Sequence, residues 1–143
     1  MRLLLDTNVL LDVLLARSPH AEAAVRILAA VESGLVTGVI SATSVTTVFY
    51  LATKTVGVRR AKAHVRTILS LFDVAPVTKA VLARAVESGI TDFEDAVIHE
   101  AARAARCTGI VTRDGPGFKR AELPVYSPPE LLAVLQARTV PPR

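Results

Sequence analysis

The chain has 143 residues, of which 51% are hydrophobic, and a formal net charge of +4. This composition excludes a largely disordered protein and fits one domain, residues 1–143, with an aliphatic core. Aromatic residues make up only 4%, which argues against an RNA-recognition sheet that stacks bases on aromatic side chains. One cysteine and no apolar stretch of membrane-spanning length lead us to expect a cytoplasmic protein without membrane association.

Short strands and helices alternate along the sequence. From the N-terminus we predict a strand at 2–5, a helix to about 15, a helix from Ser18-Pro19 to about 32, and a strand at 36–40. Next come helices at 41–56 and 58–71, a strand at 72–75 and a helix at 78–88. The last elements are a helix from 91 to about 106, a strand at 109–112, a turn or open loop at 114–117, an edge strand at 125–126 and a helix from 128 to about 137. The alternation predicts an α/β fold with a mostly parallel sheet covered by helices on both faces.

Four aspartates lie where ligands bind in such a fold, near the carboxyl ends of the strands. Asp6 and Asp114 each follow a predicted strand, and Asp92 and Asp95 lie in the first turn of one helix. Each has a structural explanation by itself, as a helix cap, a partner of the helix dipole or the start of a turn. Together they would repel one another unless a hard cation such as Mg²⁺ or Mn²⁺ neutralised them. The set is therefore consistent with metal-assisted phosphodiester hydrolysis.

Three segments resemble the motifs of a known family. Leu3 to Asp12 (LLLDTNVLLD) resembles the first motif of PIN domains, which include VapC-type toxins. Asp92 to Ala96 (DFEDA) resembles the third motif and Ile110 to Asp114 (IVTRD) the fourth, so the resemblance covers nearly the whole chain. It implies a PIN-like three-layer fold and an endoribonuclease that depends on Mg²⁺ or Mn²⁺.

The resemblance also implies roles for single residues. Asp6 and Asp95 would be the principal metal ligands, Asp114 a further catalytic acid, and Asp92 a weaker candidate in a supporting position. The residues that would orient these carboxylates by hydrogen bonds are Thr7, Asn8 and Thr112. Phe93 and Val97, on another face of the same helix, are expected to point toward the core.

One position departs from the family pattern. PIN nucleases usually carry a glutamate on the helix after the second strand, where this chain has Thr47. No Asp or Glu occurs between Glu32 and Asp73, so no neighbour can replace it. Thr47 could hold a metal-bound water but brings no charge. We expect weaker metal binding, a single tightly held cation, or impaired activity.

Several basic residues could contact RNA. The three beside the fourth motif, which we predict to hold a phosphate near the metal, are Arg113, Lys119 and Arg120. A second set on one face of the helix at 58–71 is interpreted by default as a solvated surface, with an RNA track as the alternative: Arg59, Lys62 and Arg66. His99 lies four residues after Asp95, a spacing that permits a hydrogen bond on the helix surface.

The resemblance suggests the toxin of a VapBC-type pair, with an RNA substrate, a small antitoxin as a possible partner, and a homodimer. The main alternative, motivated by Thr47, is a PIN module that binds RNA or a protein without cutting. Intact acids at Asp6, Asp95 and Asp114 argue against it.

Two other classes fit the sequence less well. A haloacid-dehalogenase-like phosphotransferase would need a second aspartate where Asn8 stands. A response-regulator receiver would need an acidic pair near the first strand and a lysine after the last strand, and neither is evident.

Overall fold

A computed structural model describes residues 1–139, which form five strands, seven α-helices and a short 3₁₀ helix. The strands are β1 (Arg2–Leu5), β2 (Thr37–Ser41), β3 (Asp73–Ala75), β4 (Gly109–Val111) and β5 (Val125–Tyr126). The helices are α1 (Thr7–Leu14), α2 (Ala21–Glu32), α3 (Ala42–Val56), α4 (Val58–Leu71), α5 (Lys79–Glu87), α6 (Phe93–Ala104) and α7 (Pro128–Thr139). The 3₁₀ helix is Gly115–Phe118. Residues 140–143 of the predicted domain lie outside the described residues.

All five strands are parallel, in the order β3-β2-β1-β4-β5. The prediction of a parallel sheet is therefore confirmed. After β1, the chain adds β2 and β3 on one side of β1, and then crosses over to add β4 and β5 on the other side. This reversal leaves a crevice at the carboxyl ends of β1 and β4, which is the usual place for a ligand in open α/β sheets.

The side chains of β1 alternate between two hydrophobic clusters. Leu3 and Leu5 pack with residues of α1, α2, α3, α4 and α7, while Leu4 packs with residues of α5 and α6. Burying one leucine side chain stabilises a fold by about 1.5–3 kcal/mol, and all three leucines are almost fully inaccessible. Helices therefore cover both faces of the sheet, as predicted. In residues 1–139 we find no helix with the length and apolar character needed to cross a membrane.

Three local predictions differ from the structure. α2 begins at Ala21 rather than at Pro19, because the carbonyl of Arg17 first accepts bonds from the N–H groups of residues 20 and 21 in a turn. Residues 115–118 form a 3₁₀ helix rather than an open loop, capped by Asp114, whose side chain accepts from the Gly117 N–H. Phe93 is 51% exposed instead of buried, because it is the first residue of α6; Val97, one turn later, is in the core.

Candidate functional site

Asp6 lies at the crevice between β1 and β4 and is only 6% exposed. Its Oδ1 accepts a bond of 2.7 Å from the Thr7 N–H, which caps α1. Its Oδ2 accepts from the Thr112 hydroxyl at 2.8 Å and from the Asn8 amide at 3.4 Å. Burial raises the pKa of Asp6, and the charges of Asp114 and Asp92 raise it further, although the bonds from Thr112 and Thr7 oppose the shift. The carboxylate is thus fixed in place by the residues predicted to orient it.

Thr112 connects two of the acids. Its hydroxyl donates to Asp6 and accepts a bond of 2.9 Å from the backbone N–H of Asp114. Asn8 supports the same arrangement, since its amide nitrogen lies 3.4 Å from the Thr112 hydroxyl and its amide oxygen accepts from the Arg113 N–H. Thr7 contributes its backbone N–H, whereas its hydroxyl is buried and has no hydrogen-bond partner within residues 1–139.

Asp95 and Asp114 approach each other at Gly117. A Cβ atom added to Gly117 would lie 2.8 Å from the Asp95 Oδ2 and 2.6 Å from the Asp114 Oδ2. Both contacts are shorter than real Cβ atoms accept, so the two carboxylates face the same small space, which exists because residue 117 has no side chain. Asp92 lies beside them as the N-cap of α6, where its Oδ1 accepts a bond of 3.0 Å from the Asp95 N–H.

The electrostatics show that these acids from separate segments influence one another. Burial raises the pKa of Asp95 to about 7, and the charges of Asp6, Asp92, Asp114 and Glu94 contribute to the shift. None of these carboxylates takes part in a salt bridge among the described residues. The negative charge of the cluster is therefore not neutralised by a protein cation.

A divalent cation fits this donor set. The part of the chain that the structure describes contains no group of three Asp, Glu, His or Cys side chains close enough to form a ready-made metal cage. Mg²⁺ does not require one, because it commonly binds through one or two carboxylates and completes its shell with water and substrate phosphate oxygens. Asp6 and Asp95 supply hard oxygen donors in an uncompensated negative field, which is the chemistry that Mg²⁺ and Mn²⁺ prefer.

Hydroxyl groups occupy the place where the sequence departs from the family pattern. Thr47 is half-buried, and its hydroxyl donates to the Thr43 carbonyl of its own helix at 3.2 Å. One turn earlier, the hydroxyls of Ser41 and Thr43 lie 2.9 Å apart. The Ser44 hydroxyl is fully buried and makes no hydrogen bond within residues 1–139. This side of the crevice is therefore polar but carries no charge.

The predicted phosphate-binding residues lie in different surroundings. Arg113 donates from Nε to Asp12 Oδ2 at 2.6 Å and from Nη2 to Asp12 Oδ1 at 3.2 Å. Asp12 is completely buried and also accepts from the Arg17 Nε at 2.9 Å. Lys119 is exposed, and Arg120 lies against Gly89 after the end of α5. Asp12 was missed as a candidate; the signal for it was a single acid within the otherwise apolar stretch of α1.

The spacing of His99 permits a hydrogen bond to Asp95 on the helix surface, but His99 is bonded elsewhere. It is almost fully buried, and its Nε2 accepts a bond of 3.0 Å from the Glu122 N–H. Burial lowers the pKa of its imidazole. The neighbouring Glu100 is also buried and is held by Arg103, so this pair belongs to the packing of α6 rather than to the acid cluster.

Comparison with known proteins agrees with the fold. The sequence matches the family model described as PIN domain over residues 2–115, while no curated protein matches it. A toxin–antitoxin complex from Klebsiella pneumoniae is 27% identical, with 87% of this chain and 96% of that chain covered and a TM-score of 0.65. VapBC2 from Rickettsia felis, bound to a promoter DNA fragment, is 18% identical, with 89% of this chain and 98% of that chain covered and a TM-score of 0.68. Mycobacterium tuberculosis VapC20, a sarcin–ricin loop cleaving toxin, is 18% identical, with 82% of this chain and 93% of that chain covered and a TM-score of 0.67.

Proposed function

The chain belongs to the PIN-domain family, and from this premise we propose that it is a metal-dependent endoribonuclease that hydrolyses RNA phosphodiester bonds. One observation carries the proposal: Asp6, Asp95 and Asp114 come from three separate segments and lie at one crevice without a protein counter-charge. We propose Mg²⁺ or Mn²⁺ as the cofactor because the donors are carboxylate oxygens.

The proposed roles follow from the contacts. Asp6 and Asp95 hold the cation, and Asp114 adds negative charge opposite Asp95. The Thr112 hydroxyl keeps Asp6 in one orientation, which lowers the entropy that would be lost on binding a metal. A bound divalent cation supplies neutralisation of the phosphodiester and activation of water. Asp95 must lose its proton to take part, and its pKa of about 7 makes this step sensitive to pH near neutrality.

The biological setting is proposed from the structural relatives. Their names describe VapBC pairs and toxin–antitoxin complexes, so we propose that this chain is the toxin of a VapBC-type pair in the cytoplasm. Its partners would then be an RNA substrate, a small antitoxin and a second copy of the chain in a homodimer.

Thr47 supports a second candidate function. Threonine carries no charge, and the Thr47 hydroxyl donates within its own helix, so this position brings no charged ligand to the crevice. A PIN module that binds RNA or a protein without cutting it would tolerate this arrangement. The two candidates differ in whether divalent metal is bound and whether RNA is cut.

The test is to incubate the purified protein with fluorescence-quenched RNAs in Mg²⁺, in Mn²⁺ and in EDTA. Asp6→Asn and Asp95→Asn are compared with Asp73→Asn, which changes an exposed carboxylate at the opposite end of the sheet. We expect metal-dependent cleavage in the wild type and in Asp73→Asn, and none in the two site variants. Calorimetric titration with Mn²⁺ measures the metal affinity of the wild type and of the three variants. A wild type that binds no Mn²⁺ and cuts no RNA would favour the non-cleaving candidate.

A further inference from the structure

A second cavity lies at the same edge of the sheet as the acid cluster. It has a volume of about 280 Å³, and its walls include Pro19, His20, Ala23, Arg113, Ser127 and Pro128. We call it the flanking cavity. Small-molecule pockets in proteins start at about 300 Å³, so the flanking cavity is near the lower end of that range and suits part of a single nucleotide rather than a peptide helix or a nucleic-acid duplex.

The strands fix the position of the flanking cavity relative to the acids. Thr112, which contacts Asp6, donates a backbone bond of 2.9 Å to the carbonyl of Tyr126 on β5. Ser127 is the next residue, so it lies one strand beyond Thr112 and two strands beyond Asp6. Adjacent strands are about 4.8 Å apart, which puts the backbone of Ser127, at the wall of the cavity, roughly 10 Å from the backbone of Asp6. An RNA strand with its scissile phosphate at the acids would reach it with a neighbouring nucleotide.

The Arg113 guanidinium at the wall of the flanking cavity is held in one position, and its positive charge is only partly neutralised. Arg113 is fixed by two bonds to the buried Asp12, which also binds Arg17. One carboxylate therefore faces two guanidinium groups, and the trio keeps a formal charge of +1. A guanidinium that is already ordered loses little conformational entropy when it binds a phosphate.

Ser127 supplies a second polar group. Its hydroxyl oxygen accepts a bond of 3.2 Å from the Glu130 N–H, while the Glu130 carboxylate accepts from the Ser127 N–H at 3.4 Å. This reciprocal pair is a capping box at the start of α7. The capping bond uses Ser127 as an acceptor, so its hydroxyl proton can be donated to a phosphate or sugar oxygen. Of the other walls, Pro19, Ala23 and Pro128 are apolar and suit the face of a base or ribose, and His20 adds an imidazole ring.

We propose that the flanking cavity binds the RNA nucleotide next to the scissile bond, with its phosphate at Arg113 and Ser127 and its nucleoside against the apolar walls. Cleavage of an RNA strand that lies across both the acid cluster and the flanking cavity rests on the proposed ribonuclease function. The affinity of the flanking cavity for a nucleotide is independent of that function, because it requires neither the metal nor the acid cluster.

The test measures binding of the four nucleoside 5′-monophosphates to the full chain in EDTA by calorimetry and by amide chemical shifts. Inorganic phosphate and uridine are the two partial ligands. Ala23→Phe fills the cavity, and its matched control, Ala63→Phe, places the same ring on an exposed part of α4. Arg113→Gln is a second variant that removes the cation without adding bulk.

We expect the wild type and Ala63→Phe to bind at least one mononucleotide with shifts at residues of the cavity, and more tightly than either partial ligand. Ala23→Phe and Arg113→Gln should each weaken this binding by about tenfold or more, which corresponds to 1.4 kcal/mol. Unchanged affinity in both variants, or equal affinity for phosphate alone, would overturn the proposal. A wild type that cuts RNA but binds no mononucleotide would refute only the cavity, whereas nucleotide binding at the cavity without cleavage of any RNA would support it and count against the ribonuclease.

Discussion

Thr112 donates a hydrogen bond of 2.8 Å to Asp6, although 106 residues separate the two in the sequence. The bond joins the ends of β1 and β4 at the point where the order of the strands reverses. The same hydroxyl accepts from the Asp114 N–H, so one oxygen atom sets the relative positions of two acids. It is therefore the most direct place to test whether the geometry of the cluster governs metal binding.

Thr112→Val keeps the shape of the side chain and removes the hydroxyl. We expect Mn²⁺ affinity to fall by about 10- to 100-fold, the usual effect of losing a group that orients a metal ligand. Thr112→Ser, which keeps the hydroxyl, should retain most of the affinity. Calorimetric titration of both variants makes the comparison, and an equal loss in the two would mean that packing rather than the hydrogen bond matters.

Gly117→Ala should damage the site with little effect on the fold. The added methyl group would displace the carboxylates of Asp95 and Asp114, which lie under 3 Å from its position. We expect Mn²⁺ affinity and RNA cleavage to fall by about tenfold or more, as expected when ligand placement is lost. The matched control is Gly115→Ala in the same 3₁₀ helix, where a Cβ meets no atom within 4 Å. Similar metal affinity in the two variants would contradict the proposed approach of the two acids.

The raised pKa of Asp95 predicts how stability changes with pH in the absence of metal. Its folded-state pKa of about 7 exceeds its ordinary value of 3.8, so the folded protein retains a proton that the unfolded chain has lost between these values. The resulting stability is complete below pH 3.8 and is lost as the pH rises through 7. Asp95→Asn has no such titration. Its melting temperature in EDTA should therefore come closest to that of the wild type near pH 3.8, and should exceed it by about 2–4 °C at pH 8.

The reverse dependence is expected for metal binding. Because the cation competes with the proton on Asp95, Mn²⁺ affinity of the wild type should rise as the pH increases from 6 to 8. Calorimetry at several pH values, with buffers of different ionisation enthalpy, would also detect release of the proton. An affinity that does not change across this range would show that Asp95 is already ionised or is not a ligand.

Asp12→Ala should destabilise the protein more than removal of an exposed acid. It leaves the guanidinium groups of Arg17 and Arg113 without their shared partner, at an expected cost of about 1–3 kcal/mol because both arginines are partly solvated. Asp73→Ala, which breaks an exposed pair with Arg2, should cost less than about 1 kcal/mol. Urea unfolding of the two variants measures the difference. Equal midpoints would indicate that the buried network adds no more to stability than the exposed pair does.

Thr47→Glu tests the departure from the family pattern. If the new carboxylate reaches the crevice, Mn²⁺ should bind about tenfold more tightly or in greater number. Thr46→Glu places the same charge on the exposed neighbouring position of α3 and serves as the control. Metal titration that shows no difference between Thr47→Glu and the wild type would count against the position assigned to the missing acid.

Much of the site could be predicted from local patterns. Asp6 and Asp114 follow short apolar strands, and such strands alternating with helices form parallel sheets whose carboxyl ends share one edge. The ion pair between Arg113 and Asp12 could not be predicted, because 101 residues separate the two and nothing in either segment indicates the other. Phe93 was predicted to be buried and is exposed. Helical spacing shows which residues share a face of a helix, but it does not show that the first turn of the helix lies outside the core.

The sequence by itself therefore determined the elements, the parallel sheet and the edge at which the acids gather, since these depend on side-chain patterns within single segments. Only the tertiary structure decided which charges are paired and which remain without a counter-charge. That Arg113 is held by Asp12 while Asp95 faces other carboxylates depends on the strand order and the helix packing. Electrostatic interactions act over a few ångströms, so their partners become defined only when distant segments are brought together.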